Sequence, residues 1–183
     1  MNKVQLYKNF NTGNYQIGAS ALKRTFWYFV DLIFFKSHII PFSVVLVGIL
    51  RLFGAKIGKE VRIKPGVHIK HPWKLVIGDY CWIADCYIEN LDWVFIGKNC
   101  CISQRAMLMT GNHNYNKTGF DLIIKPIVLE EGVWIGANAN VAPGVTAHSH
   151  AILSFGSTAT QDLDAYAIYQ GNPAIKTKTR ILS

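Results

Sequence analysis

Residues 129–153 read LEEGVWIGANANVAPGVTAHSHAIL, and the aliphatic positions Leu129, Ile135, Val141, Ala147 and Leu153 fall six apart. A half-buried strand repeats every second residue and a helix every 3.6 or about that, so neither explains the spacing. The count runs on to Ala159 and Ala165. Upstream, after resets, it returns at Ile96, Ile102 and Leu108, at Ile77 and Ile83, and at Ile57, Ile63 and Ile69. All fifteen of these positions are aliphatic in a chain that is 50% hydrophobic, so the period is a property of the fold. Four residues on, the side chain is mostly small or β-branched, as at Val67, Cys81, Cys100, Ala139 and Ser157. Glycine follows the aliphatic residue directly at Gly58, Gly78, Gly97 and Gly136.

A six-residue repeat fits a solenoid. With one short strand and a corner per hexad, three hexads close a triangular coil of about 18 residues, and successive coils stack through ladder hydrogen bonds. The aliphatic residue points inward at every step, where space is narrow, and small partners follow from that. From Ile57 to about Tyr169 the chain holds roughly six coils. The segment 107–126, MLMTGNHNYNKTGFDLIIKP, breaks the count and marks a loop that leaves the coil over residues 111–126.

The chain of 183 residues, 13% of them aromatic, is expected to form one globular domain with appendages. Residues 1–55 read as an N-terminal helical segment in which Pro41 ends one helix and starts another. Residues 56–174 hold the repeats, and 175–183 a basic C-terminal tail. The apolar run IIPFSVVLVGIL at 39–50 falls short of the ~20 residues a membrane-spanning helix needs. Two readings of the helices stand: packing on the β core, or peripheral contact with a membrane, suggested by the aromatics around Lys23, Arg24 and Lys36.

Nineteen Lys and Arg against eleven Asp and Glu give a net charge of +8, which favours anionic partners. Without a recognition-helix pattern or an aromatic RNA-binding motif, nucleic acid is not among those expected. Cys81, Cys86, Cys100 and Cys101 lie in apolar segments with no secretory leader in view, and read as reduced core residues of a cytoplasmic protein. The pairs His68/His71 and His148/His150 invite a metal reading, but three imidazoles would have to converge. They read as surface or corner residues, and no metal is expected.

The runs VWIGANANVAPGV (133–145), IYQGNPA (168–174) and ISQRAMLMTGNHNY (102–115), with LRLFGAKIG (50–58) at the helix-to-coil junction, resemble the hexapeptide-repeat acyltransferases. They are most similar to the O-acetyltransferases of colanic-acid and capsular polysaccharide biosynthesis. The resemblance implies a mainly β fold, a left-handed parallel β-helix, assembled as a homotrimer with active sites between subunits. It implies acetyl-CoA as donor and a sugar, free or carried on a nucleotide or a lipid, as acceptor. A lipid-linked saccharide would place the protein at the inner face of the membrane.

Within that resemblance His113 is the general base. Acetyl transfer to a sugar hydroxyl needs a proton removed from a very weak acid as the bond forms, and a neutral imidazole suits the task. Trp134 and Ala137 would lie along the pantetheine arm, with the backbone N–H near Ala137 facing the oxyanion. Asn140, Ser157 and Thr160 sit at comparable positions of later coils. Gln161 stands in TQD where many relatives carry Lys, so Lys176, Lys178 and Arg180 are the candidates for the coenzyme phosphates. Glu89 and Asn90 in IENLDW match a DNL segment of related enzymes and, with Asp85, are candidates to hydrogen-bond the sugar, on which Tyr115 would stack. Two other classes remain open: a non-catalytic β-helix scaffold, and a metal-dependent lyase on the same fold.

Overall fold

The computed structural model describes residues 3–6, 8 and 10–182. The hexads wind into a three-faced parallel β-helix. Its first face stacks five strands from Lys56–Ile57 to Thr146–Ala147, and its third stacks five from His68–Ile69 to Thr158–Ala159. The second face carries seven, beginning at Arg62–Ile63. Leu129 pairs with Ala147, Ile135 with Leu153 and Val141 with Ala159, so one coil is eighteen residues where the repeat is unbroken.

The aliphatic residues point into the prism and form one continuous core. Ile63, Ile69, Ile83, Ile102, Leu108, Ile135 and Leu153 are all fully buried within it. Two positions depart from the sequence count. Ile88 is an inward residue on the third face, paired with Leu108, in a coil where the reset hid it. Ala165 is exposed, and Leu163 takes the inward place instead, bridging to Ala147. The step from Ala159 to Leu163 is two residues shorter than the repeat, so the last coil is sixteen residues and Leu153 pairs with Tyr169.

The recurring glycines have a steric cause. A Cβ on Gly78 would lie 2.6 Å from the Lys98 nitrogen, and one on Gly97 would lie 2.8 Å from the Glu130 carbonyl carbon. Those atoms are backbone of the next coil, so the coils approach too closely there for any side chain. Left-handed backbone is needed two residues further on, and Tyr80 and Asn99 supply it at successive corners.

Both ends of the prism are closed. Helix α1 (Ala21–Val30), capped by the Ser20 side chain, runs into a π-helical turn, Asp31–Lys36. Pro41 separates these from α2 (Ser43–Leu52), as expected. Trp27, Phe35, Leu46 and Leu50 are buried over the first coil, with Trp27 Nε1 donating to the Ile69 carbonyl at 3.0 Å. Packing thus accounts for one side of the helices. Among the described residues no helix is long and apolar enough to cross a membrane. At the other end, Ala174–Thr179 pairs antiparallel with Ala167–Gly171, so most of the expected tail is a strand of the second face. Residues 1, 2, 7, 9 and 183 of the two flanking segments lie outside the described residues. Cys81, Cys86 and Cys100 are buried free thiols, whereas Cys101 is half-buried on the outer side of the second face.

Candidate active site

The break in the count is a β-hairpin. Gly111–His113 pairs antiparallel with Leu122–Ile124, so the excursion has a ladder of its own and projects from the third face between Met107–Met109 and the next coil. His113 ends the outgoing strand, opposite Leu122. Its Nδ1 lies 2.7 Å from the carbonyl oxygen of Phe120, which is held in the left-handed region. A carbonyl only accepts, so Nδ1 carries the proton and the lone pair is left on Nε2. Phe10 meets the imidazole edge-on, with ring centroids 5.1 Å apart.

His113 borders a cavity of about 740 Å³. Tyr87 and Met107, outward residues of the third face, form its floor together with Glu89 and Met109. The far wall is Phe10, Thr12 and Tyr15 of the N-terminal segment. That segment is held by Leu122 N–H to the Asn11 carbonyl at 2.9 Å, Trp73 Nε1 to the Ile17 carbonyl at 2.7 Å, and Lys74 Nζ to the Gln16 carbonyl at 2.5 Å. Glu89 enters the cavity paired with Lys70, with His68 Nε2 at 4.0 Å. Burial, and then a hydrogen bond to Glu89, push the Tyr87 phenol up to about 12.

Of the sequence candidates for the acceptor, Glu89 alone lines this cavity. Asn90, its neighbour, points the other way and is fully buried. Its Oδ1 accepts from His71 N–H at 2.9 Å, and its Nδ2 donates to the carbonyls of His71 at 2.7 Å and Lys74 at 3.2 Å. Asn90 is therefore a core pin with no bond left for a sugar. Asp85 stands at the corner between the second and third faces, away from the cavity, and Tyr115 is exposed near the hairpin tip. Sequence reasoning missed Lys70, Tyr87 and Met107, although Tyr87 and Met107 share a signal, each preceding an inward aliphatic residue of the third face. Phe10, Thr12 and Tyr15 carry no such signal.

The donor candidates divide in the same way. Trp134 is half-exposed on the outer side of the second face, its Nε1 donating to Ser103 Oγ at 2.9 Å. Ala137 lies at the corner joining the second face to the third, and its N–H donates to no acceptor among the described residues. Asn140 continues the outward row of Tyr87 and Met107, and Thr160 is exposed just beyond the last strand of that face. Ser157 is buried, with its Oγ accepting from Gly171 N–H at 3.0 Å, and is a structural residue. The three basic candidates do not form a cluster. Lys176 pairs with Asp164 at 3.0 Å, and Arg180 Nη1 donates to the carbonyls of Gly132 at 2.8 Å and His150 at 3.1 Å. Lys178 alone of the three is exposed without a side-chain partner among the described residues.

Among the described residues no three His, Cys, Asp or Glu side chains gather as metal ligands. His150 occupies a left-handed corner stacked on Tyr166, and His148 Nδ1 lies 3.0 Å from Glu130 Oε1. His71, expected at the surface, is buried beside Trp73 instead, and burial lowers its imidazole from the ordinary 6.5 to about 4. As pH falls through this range the unfolded chain binds a proton that the folded one refuses, so stability falls with pH. The expected loss at pH 4 from this group is about 3 kcal/mol. Urea midpoints measured across the window in wild type and His71→Gln check it, and equal slopes in the two would refute it.

An imidazole with a fixed tautomer, beside a cavity of sugar size on a β-helix of hexads, is an arrangement suited to acid–base chemistry on a bound ligand. No model of a known protein family matches the chain. WcaF of Escherichia coli strain K12, whose assigned role is colanic acid biosynthesis acetyltransferase, is 36% identical over 165 residues, 90% of this chain and 91% of its own. The crystal structure of the hexapeptide-repeat acetyltransferase VCA0836 from Vibrio cholerae is similar with a TM-score of 0.78 at 23% identity, covering 88% of this chain and 94% of that one. Its complex with acetyl coenzyme A gives a TM-score of 0.72 at 22% identity, covering 88% and 91%. At those identities the likeness is one of fold. The identity to WcaF carries more: the chain belongs to the hexapeptide-repeat acetyltransferases and is an acetyltransferase.

Proposed function

We propose that the protein moves an acetyl group from acetyl-CoA to a saccharide hydroxyl in polysaccharide biosynthesis, acting as a closed three-fold homotrimer. The observation that carries this reading is His113, its Nδ1 tied to the Phe120 carbonyl and its Nε2 free beside the cavity. Nε2 takes the acceptor hydroxyl proton as the oxygen attacks the thioester carbonyl. The Ala137 N–H stabilises the oxyanion. Collapse of the tetrahedral intermediate breaks the carbon–sulfur bond, and the imidazolium returns its proton to the departing thiolate. Glu89 and Lys70 hold sugar hydroxyls, and Asn140, Thr160 and Lys178 follow the coenzyme toward its phosphates.

A trimer serves this arrangement because the cavity opens from the third face while Trp134 faces out from the second. A neighbour presenting its second face to the hairpin brings the two together. Release of free thiol from acetyl-CoA in the presence of saccharide acceptors tests the activity. Silence with every saccharide, given an intact trimer, would favour the scaffold. A stable, active monomer in sedimentation would remove the shared site.

A further inference from the structure

The packed side of the N-terminal helices leaves their other side bare. Leu22, Phe26 and Phe29 of α1 and Ile33 of the π-helical turn follow helical spacing along one stripe, and each is more than half exposed, Leu22 at 81%. Val44 and Leu52 extend the apolar surface on α2, at 79% and 81%, with Ile39 and Phe42 between. A lone exposed leucine needs no explanation, whereas a contiguous apolar face of this extent marks a binding surface.

Charge selects the occupant. Between residues 20 and 70 the chain carries nine Lys and Arg against two acids, a net of +7 out of the whole chain's +8. Of the acids, Asp31 is buried and paired with Lys36 at 2.9 Å, which leaves Glu60 as the one exposed carboxylate in the region. Apolar and aromatic side chains framed by cations, on helices too short to span, are what lies flat in the headgroup region of an anionic bilayer. We infer that the outer face of α1, the π-helical turn and α2 docks on an anionic lipid surface. A groove between α1 and the first coil, bordered by Arg24, Tyr28, Lys36 and His68, shares Lys70 with the His113 cavity. The two openings are thus neighbours, and the acceptor this placement points to is a saccharide carried on a lipid. This last step rests on the proposed acetyl transfer; the surface itself does not.

The test mixes the full chain with vesicles of phosphatidylcholine, with and without phosphatidylglycerol, and measures the pelleted fraction. Pelleting is expected with phosphatidylglycerol and not without it, and rising salt should release the protein. Arg24→Gln should weaken partitioning about fivefold, and Phe29→Ser with Ile33→Ser by at least about tenfold. The apolar variant changes exposed side chains outside both openings and should keep wild-type transfer to a soluble saccharide. Wild type that stays in the supernatant at low salt overturns the proposal, as does unchanged pelleting of the apolar variant. If the wild type ignores vesicles but forms assemblies larger than the trimer that the apolar variant dissolves, the occupant is a second copy. Vesicle binding without acetyl transfer would support the surface and overturn the enzymatic reading; transfer without vesicle binding would do the reverse.

Discussion

His113→Ala is expected to lower turnover by about 100- to 10,000-fold, the range for loss of a positioned general base. In the transition state the acceptor oxygen must lose its proton while still weakly nucleophilic, and water in the emptied site is a poor substitute for an imidazole whose tautomer is fixed. The loss corresponds to about 3–5 kcal/mol of transition-state stabilisation. The fold should survive it. The hairpin is held by its own backbone pairing from Gly111 and Ile124 to His113 and Leu122, and the imidazole contributes one hydrogen bond to it. Turnover should therefore fall with little change in acetyl-CoA KM, in a variant that sediments like wild type. Near-full activity would take His113 out of the mechanism and leave the cavity without a base.

Asn90→Ala should act on stability instead. The substitution removes three hydrogen bonds from a fully buried site and orphans His71 N–H and the Lys74 carbonyl, while the His71 carbonyl keeps the Lys74 N–H. With about 1–3 kcal/mol for each of the two unsatisfied buried groups, partly relieved by relaxation, the expected loss is about 2–4 kcal/mol. Urea denaturation measures it. The folded fraction should keep its saccharide KM, because the amide does not reach the cavity. A large rise in KM with unchanged stability would instead restore Asn90 to the acceptor site. Glu89→Gln separates the two neighbours further: its carboxylate faces Lys70 in the cavity, so the effect should fall on saccharide KM.

The contrast between Glu89 and Asn90 marks where sequence reasoning stopped. Adjacent residues on a strand face opposite sides, so a one-residue difference separates a cavity wall from a core pin. The IENLDW motif names both without saying which is which. Ser157, Lys176 and Arg180 show the limit in another way. Their residue types suit a ligand, but Gly171, Asp164 and the carbonyls of Gly132 and His150 reach them first.

The sequence by itself determined the β-helix, its interruption and the candidate base. In a solenoid each coil touches only its neighbours, so the contacts that build the core recur at a constant separation and leave a six-residue period in the chain. An excursion then shows as a break in the count, and a histidine within it stands out. What the tertiary structure alone decided was the cavity. Phe10 and Tyr15 meet His113 across about a hundred residues, and Lys70 joins them from the first coil. No period links those positions, since they are brought together by the single crossing of the N-terminal segment over the hairpin. The bare face of the helices is likewise a tertiary fact. Their sequence is apolar nearly all round, and only packing on the first coil shows which half is covered and which is left for a partner.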